Sequence, residues 1–353
     1  ADGVVQLIPG HGKKVDPKIM DTLVDAVWPK FLHPYPLSDK YFLVACKPTA
    51  DSRWGIYIAD VFDNLPLVRE EPGFALLEPV PFRATPRPPA VPDKVDLKKA
   101  TATVYIANVY QGPGLAGVPA GTIKKLRVYE YYYAYPKMGG HMNIGFEGPW
   151  DVHRILGTVP VAEDGSVSFT VPANIPVGVE PLDERGRAVQ LMRSWFSAMP
   201  GENMSCVGCH EKQNESVPAK PTLASYTKPS DIAPWYGPAR GFSFNRDVQP
   251  VLDQYCVKCH NGVEPGKPDF TMKEKNGWNN LPEAYIALHP YVRRPGPESD
   301  YHLLHPMEYN ANTSELVQML EKGHHGVQLN QEAWERLYTW IDLNVPDHGT
   351  WAE

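Results

Sequence analysis

Residues 245–260 read NRDVQPVLDQYCVKCH, and this stretch decides the fold of the C-terminal part of the chain. Its apolar residues recur at the i, i+3, i+4 and i+7 spacing of one helical face. They are Val248, Val251, Leu252 and Tyr255. Asn245 is a residue type that caps helix N-termini. The predicted helix leads directly into a CxxCH motif at residues 256–260, called the second motif below, so we predict an α-helical module around that motif.

A first motif of the same kind, CVGCH, occupies residues 206–210. Covalent attachment of haem c needs two thiols spaced for the two vinyl groups of the porphyrin, and an adjacent imidazole for the iron. Each motif supplies all three groups, so we predict two covalently bound haem c groups. The predicted binding residues are Cys206, Cys209, His210, Cys256, Cys259 and His260.

Zinc is the alternative cofactor, because paired CxxC sequences can supply four thiolates. Zinc ribbons separate their pairs by about 15–20 residues, whereas the two motifs lie much further apart. The motifs use four of the five cysteines, and Cys46, in the apolar run YFLVAC, is predicted to be a buried structural thiol. Since haem c is attached outside the cytoplasm, we expect an extracytoplasmic location, in the periplasm or an equivalent compartment.

Composition and charge exclude several classes of protein. A net charge of −7 provides no basic stripe for a phosphate backbone, so we expect no nucleic-acid partner. The sequence has no apolar run of 18 or more residues, and ADGVVQLIPG at the start lacks the regions of a signal peptide. We therefore expect neither a membrane span nor an intact secretory precursor. The 37 prolines and 28 glycines indicate a loop-rich, β-rich body.

The predicted fold class is mixed β plus α, in four parts. Residues 1–92 are predicted to form one sheet or blade, too small to close on itself, with strands in YFLVACK and RWGIYIADVFDN and a proline-rich linker. Residues 93–204 are predicted to form an antiparallel β-sandwich, with strands in TATVYIANVY, KKLRVYEYYYAY, GSVSFTV and RAVQLMRS. Residues 205–240 carry the first motif without helical periodicity, and residues 241–353 form the cytochrome c-like module.

The second haem has many candidate axial ligands. Asn312 and Glu315 have the spacing of a capping box before a helix that ends at Gly323. His324 follows directly, where flanking glycines relax the backbone, and it is our first choice; His325 is the second. Further candidates in the same module are His302, His305 and Met307.

The first haem has few candidates. Met204 is too close to the motif to reach the far side of the ring, and His141 and His153 lie far away in the sandwich. A haem that only carries electrons has both axial positions filled, whereas one that binds substrate keeps a position open or weakly held. The shortage of ligands predicts an open or unusual first haem.

Several long stretches closely resemble the C-terminal half of the hydrazine synthase alpha subunit family. They are residues 154–177, 182–211, 247–262, 315–327 and 333–351, and WGIYIADVFDN resembles the closing propeller blade of that family. The resemblance implies a six-bladed propeller, a middle β-domain and a dihaem region. It also implies a catalytic first haem, a bis-histidine second haem that relays electrons, and a role in anammox-type nitrogen metabolism.

Two departures from that family concern the first haem. In the synthase, a tyrosine four residues after the motif histidine ligates the catalytic iron and leaves the histidine for zinc; here that residue is Asn214. The synthase also has a longer insertion between its two motifs. His210 and Asn214 are therefore the candidate catalytic residues, and zinc at His210 is a further expectation from the resemblance.

The resulting prediction is a dihaem oxidoreductase that acts on a small nitrogen species. The alternatives are an electron-transfer protein without its own catalysis and a scaffold subunit. A single propeller blade leaves strand edges exposed, so we expect another polypeptide to supply the remaining blades. Other subunits of a complex and a redox partner cytochrome are further expected partners.

Overall fold

Strands outnumber helices in the part of the chain that the computed structural model describes. The described residues are 7–13, 22, 24–132, 144–145, 152–211, 215–273, 281–292 and 303–351. The chain divides into two compact units, Ala1–Pro92 and Asp93–Glu353. The mixed, β-rich class is confirmed, while the assignments to a propeller blade and to a cytochrome module stay predictions.

The first unit contains a four-stranded antiparallel sheet in which each strand pairs with its neighbour in sequence. The strands are β1 (Lys30–Pro36), β2 (Tyr41–Lys47), β3 (Gly55–Asp60) and β4 (Leu67–Arg69). β2 and β3 confirm the two strands expected from the sequence. Cys46 lies fully buried with Val44 and Tyr57 in a small core, as predicted. Burial raises the pKa of its thiol to about 11.

Two sheets in the second unit share one core. Their strands are β5 (Thr101–Ile106), β6 (Lys125–Tyr132), β7 (Val152–Pro160), β8 (Val167–Pro172), β9 (Val177–Leu182), β10 (Asn203–Cys206) and β11 (Arg240–Gly241). The strand orders are β10-β5-β8 and β11-β7-β6-β9. Val104 and Phe169 from one sheet pack with Val128 and Val159 from the other, and we call this the sandwich core. Alternating apolar residues on each strand place one face of each sheet against the other.

The sandwich departs from the prediction in two respects. β10 pairs with β5 in parallel, with Cys206 opposite Ile106, so the sandwich is not wholly antiparallel. A parallel neighbour requires a long connection, and the chain between β5 and β10, which contains β6 to β9, provides one. In the strand predicted at residues 187–194, Ala188 makes only an isolated bridge to Leu182. The first cysteine of the first motif is thus the last residue of a sandwich strand.

The helices of the second unit follow β11. They are α1 (Gln249–Tyr255), α2 (Glu283–Leu288), α3 (Glu315–Glu321) and α4 (Gln331–Asp342). Their apolar faces bury Phe244, Tyr285 and Trp340 in what we call the helical core. No helix among the described residues is long and apolar enough to cross a bilayer.

Helix ends differ from the sequence prediction in detail. The helix expected from Asn245 begins with a π-helical turn, Phe244–Val248, and continues as α1. Ser314, not Asn312, is the N-cap of α3, because residues Ala311–Thr313 form a separate 3₁₀ turn. Gly323 follows the C-cap of α3 with φ of 93°, a conformation that favours glycine, and its predicted role is confirmed.

Buried polar contacts join the sandwich to α4. Arg127 on β6 pairs with Glu180 on β9 and donates a hydrogen bond to the Thr339 hydroxyl at 2.7 Å. Asp342 accepts backbone N–H groups from Ala188 at 2.7 Å and from Ala311 at 2.8 Å. Burial and the nearby Glu180 raise the pKa of Asp342 to about 7. These contacts fix the two layers of the second unit in one relative position.

Candidate functional site

The second motif closes a turn at the end of α1. The N–H of Cys256 donates to Leu252 O at 2.8 Å, and the N–H groups of Cys259 and His260 donate to Cys256 O at 3.1 and 2.9 Å. This turn brings both cysteines and the histidine to one end of the helix. Cys256 packs against the helical core, and burial raises the pKa of its thiol to about 11.

His260 is held in one orientation by its neighbours. Its Nδ1 lies 3.1 Å from the carbonyl oxygen of Pro268, and its ring packs on Phe270 at a centroid distance of 4.8 Å. A carbonyl only accepts, so Nδ1 donates to it, and Nε2 is the ring nitrogen that remains for a metal. Metal-binding histidines characteristically donate their other N–H in this way. His260 therefore has the tautomer of a metal ligand.

His324 faces His260 from the loop after α3. The ring centroids of the two histidines lie 5.9 Å apart, with planes inclined by 27°. Metal–nitrogen bonds are about 2 Å, so two imidazoles on opposite sides of one metal ion have centroids separated by roughly 6 Å. The separation of the two rings would therefore allow both imidazoles to hold the iron of a haem attached at the second motif.

The remaining predicted ligands of the second haem are placed differently. His325 is exposed, and its ring lies nearly perpendicular to that of His324 at 4.6 Å. His305 is also exposed, and His302 lies outside the described residues. Desolvation, with smaller effects from His325 and His260, lowers the pKa of His324 and favours the neutral imidazole that ligates metals. The geometry thus favours His324 over His325.

The first motif is fixed against the sandwich by backbone contacts. The N–H groups of Ala107 and Asn108 donate to Cys206 O and Val207 O at 3.0 and 3.2 Å. Gly208 lies so close to the carbonyl oxygens of Asn108 and Gln111 that a β-carbon there would overlap both. Only glycine leaves room for this approach. The packing holds the motif as a rigid continuation of β10.

The thiols of the first motif are not prepared for redox exchange. Cys206 and Cys209 pack against the sandwich core, and burial raises the pKa of both thiols to about 11. Reactive CxxC pairs instead depend on a lowered thiol pKa. The two motifs also contact different cores, and no group of three or more His, Cys, Asp or Glu side chains in the described ranges could hold a metal ion. A zinc site shared by the two CxxC pairs therefore finds no support in these ranges.

His210 has an environment unlike that of His260. It is exposed and has φ of 62°, and no described histidine ring is recorded in contact with it. Asn214 and His141, two of the residues singled out in the sequence, lie outside the described residues. His153 is buried among the rings of Tyr129 and Tyr131 at centroid distances of 4.8 and 4.6 Å.

One residue near the first motif was assigned elsewhere by sequence reasoning. Met307 was grouped with the ligands of the second haem, but it packs against the sandwich core together with Cys206 and Cys209. No local pattern in the sequence predicts this location of Met307. It arises only on folding, because the first motif lies more than ninety residues before Met307 in the chain. Met307 therefore shares a core with the two cysteines of the first motif.

A cleft of about 1470 Å³ lies beside the His324 loop, within the second unit. Gly323 and Gly326, on either side of the two histidines, line one wall, and Lys124 and Arg185 at the sandwich edge line another. The aromatic residues that line it are Trp235, Tyr236, Trp334 and Tyr338. The cleft gives solvent a path to the back of the loop that presents His324.

Comparison with known proteins points to one family. Residues 121–211, which include the first motif, match the family model described as hydrazine synthase alpha subunit middle domain. The hydrazine synthase subunit alpha of Kuenenia stuttgartiensis is 26% identical in an alignment 165 residues long, and the match covers 31% of this chain and 20% of that protein.

A solved structure titled Kuenenia stuttgartiensis hydrazine synthase has a similar fold. Its TM-score is 0.64 at 18% identity, and the match covers 90% of this chain and 55% of that chain. At this identity the likeness concerns the fold. The match spans a fifth of the length of the hydrazine synthase subunit alpha and about half of the chain in the solved structure.

Proposed function

Since the chain is related to the hydrazine synthase alpha subunit, as its sequence predicted, we propose that it is a dihaem c-type oxidoreductase acting on a small nitrogen species. The first haem, attached at Cys206 and Cys209, is the catalytic one. The second haem, attached at Cys256 and Cys259, relays electrons to it. The location is extracytoplasmic.

The contrast between the two motif histidines carries this proposal. His260 is oriented by Pro268 and faces His324, so both axial positions of the second haem are provided for. A saturated haem supplies reversible one-electron transfer and binds no substrate. His210 is exposed, and no described imidazole faces it. This difference supports relay at the second motif and substrate binding at the first.

One residue near the first motif indicates that the iron coordination of the first haem differs from that of the synthase. Asn214 stands where the resembling family has an iron-ligating tyrosine, and an amide is a poor ligand for iron. His210 is then retained for the iron instead of being released for zinc. We propose a reaction on a small nitrogen compound with an iron coordination different from that of the synthase.

We also propose partners for the first unit. Its edge strands carry exposed apolar side chains, including Phe31 and Leu32 on β1 and Leu67 and Val68 on β4. Such edges are normally covered. Further β-structure from another polypeptide would cover them and complete a propeller, and a redox partner cytochrome would exchange electrons with the second haem.

Carbon monoxide binding to the reduced, haem-loaded chain tests the assignment of roles. Mass spectrometry of the peptides containing residues 206–210 and 256–260 first establishes covalent haem on each. We expect both peptides to carry haem and one carbon monoxide to bind per chain. Haem on both peptides without any carbon monoxide binding would favour the alternative, an electron-transfer protein without its own catalysis. Absence of haem from the first peptide would contradict the proposal itself.

A further inference from the structure

Met307 is a side chain with ligand chemistry that the fold places on the same core as the first motif. It is half-buried and packs against the sandwich core, as do Cys206 and Cys209. A thioether sulfur is a soft ligand that haem iron accepts in c-type cytochromes. The two cysteines fix where a haem would be attached, and Met307 packs against the same core as they do.

Gln190 connects the segment around Met307 to the first motif. Its buried side-chain amide donates to Leu304 O at 2.8 Å and to Gly114 O at 3.0 Å. Gly114 in turn lies against Cys209, and its N–H donates to Cys209 O at 3.3 Å. One buried amide therefore links the chain at Leu304 to the loop that contacts the second cysteine.

The backbone around Met307 is also fixed. Its N–H donates to Val189 O at 2.8 Å. A turn around it is closed by two hydrogen bonds: the His305 N–H donates to the Glu308 carboxylate at 2.9 Å, and the Glu308 N–H donates to His305 O at 3.1 Å. Met307 has φ of 63°. A residue other than glycine rarely adopts this conformation, and it persists only where surrounding contacts impose it. The fold thus holds the backbone of Met307 in one strained conformation.

From these contacts we propose that Met307 is the second axial ligand of the haem attached at Cys206 and Cys209, opposite His210. This inference rests on the proposed function, because it requires that haem. Methionine binds iron less firmly than histidine, so a small ligand can displace it. Met307 would then hold the first haem weakly enough for a small ligand to replace it, whereas His260 and His324 would both hold the second haem firmly.

Substitution of Met307→Leu tests the inference in the full haem-loaded chain. Leucine keeps the approximate volume of the side chain and removes the sulfur, a change that protein cores usually tolerate. Met319→Leu is the matched control, because Met319 is also half-buried but packs on the helical core. Circular dichroism and mass spectrometry of the first peptide establish that each variant is folded and loaded.

Methionine-ligated ferric haem has a near-infrared charge-transfer band that bis-histidine haem lacks, so the band reports on the first haem alone. We expect the band in the native chain and in Met319→Leu, and its complete loss in Met307→Leu. Loss of the methionine should also lower the midpoint potential of that haem and speed carbon monoxide binding. Met307→His should remove the band and give a second bis-histidine spectrum.

The results separate this inference from the proposed function. A native chain with haem on both motifs but without the band, or a band that survives in Met307→Leu, overturns the ligand assignment and leaves the dihaem proposal standing. A first peptide without haem overturns both. A native chain that has the band but excludes carbon monoxide, together with a Met307→Leu chain that binds it, supports the ligand and contradicts the catalytic role.

Discussion

The rings of His260 and His324 lie 5.9 Å apart with planes inclined by 27°, although 64 residues separate them in the sequence. The His260 ring contacts the carbonyl oxygen of Pro268, and His324 lies in the loop after α3. Neither histidine is fixed by the other, so the distance between them is a property of the packed helical core. This relationship is the strongest geometric support for a metal between the two side chains.

His324→Ala should convert the second haem from low spin to high spin, because it removes the imidazole that faces His260. His325→Ala is the matched control, since it changes the adjacent exposed histidine and should leave the spectrum unchanged. Electron paramagnetic resonance of the oxidised chain measures both. A high-spin signal in His325→Ala and none in His324→Ala would reverse the assignment.

Gly208→Ala should disrupt the first motif, because the added methyl group would overlap the carbonyl oxygens of Asn108 and Gln111. We expect lowered haem occupancy at residues 206–210 and a destabilisation of about 1–3 kcal/mol. Lys258→Ala changes the equivalent, exposed position of the second motif and should be neutral. Peptide mass spectrometry and urea unfolding would register the difference, and equal occupancy in both variants would refute the packing argument.

His153 and Asp342 should give stability opposite dependences on pH. Burial lowers the pKa of His153 from 6.5 to about 4. Between these two values the unfolded chain binds a proton at His153 and the folded chain does not. The stability that neutral His153 contributes is therefore lost as pH falls from 6.5 to 4. Asp342 has its pKa raised from 3.8 to about 7. The folded chain keeps that proton, so this contribution to stability is lost as pH rises from 3.8 to 7.

Measurements of the unfolding free energy between pH 4.5 and 6.5 would separate the two groups. His153→Phe should make the slope against pH more negative, and Asp342→Asn should make it more positive. Each change should be at most about 1.4 kcal/mol per pH unit, the value for one proton. A loss of packing that is the same at every pH lowers the unfolding free energy but leaves its slope against pH unchanged. If neither variant changes the slope, the assigned titrations are wrong.

Arg127→Met should destabilise the second unit by about 3–5 kcal/mol, because it leaves the fully buried Glu180 without its charge partner. The double variant Arg127→Met with Glu180→Met removes both charges and should recover most of the loss. Arg185→Met, which breaks an exposed pair with Glu321, should change stability by less than about 1 kcal/mol. A double variant no more stable than the single one would show that the pair is net stabilising.

Local patterns in the sequence predicted the strands, helices and helix ends that depend mainly on neighbouring residues. The strands at YFLVACK and GSVSFTV, the helix that enters the second motif and the glycine after α3 are all present. Errors arose where distant contacts outweigh propensity. Asn312 has the sequence of a cap, but a tight turn before Ser314 moves the start of α3. The parallel pairing of β10 with β5 has no local sequence signal, because strand direction depends on the crossover that precedes it.

The sequence by itself determined the two CxxCH motifs and hence the predicted cofactor, because thioether attachment and the adjacent imidazole require only neighbours within five residues. The tertiary structure alone decided which histidine faces His260 and where Met307 lies. Both depend on contacts between residues far apart in the chain, which form only when the helical core and the sandwich core pack. The chemistry expected at the first motif therefore follows from the fold around it, whereas the presence of the motif follows from sequence alone.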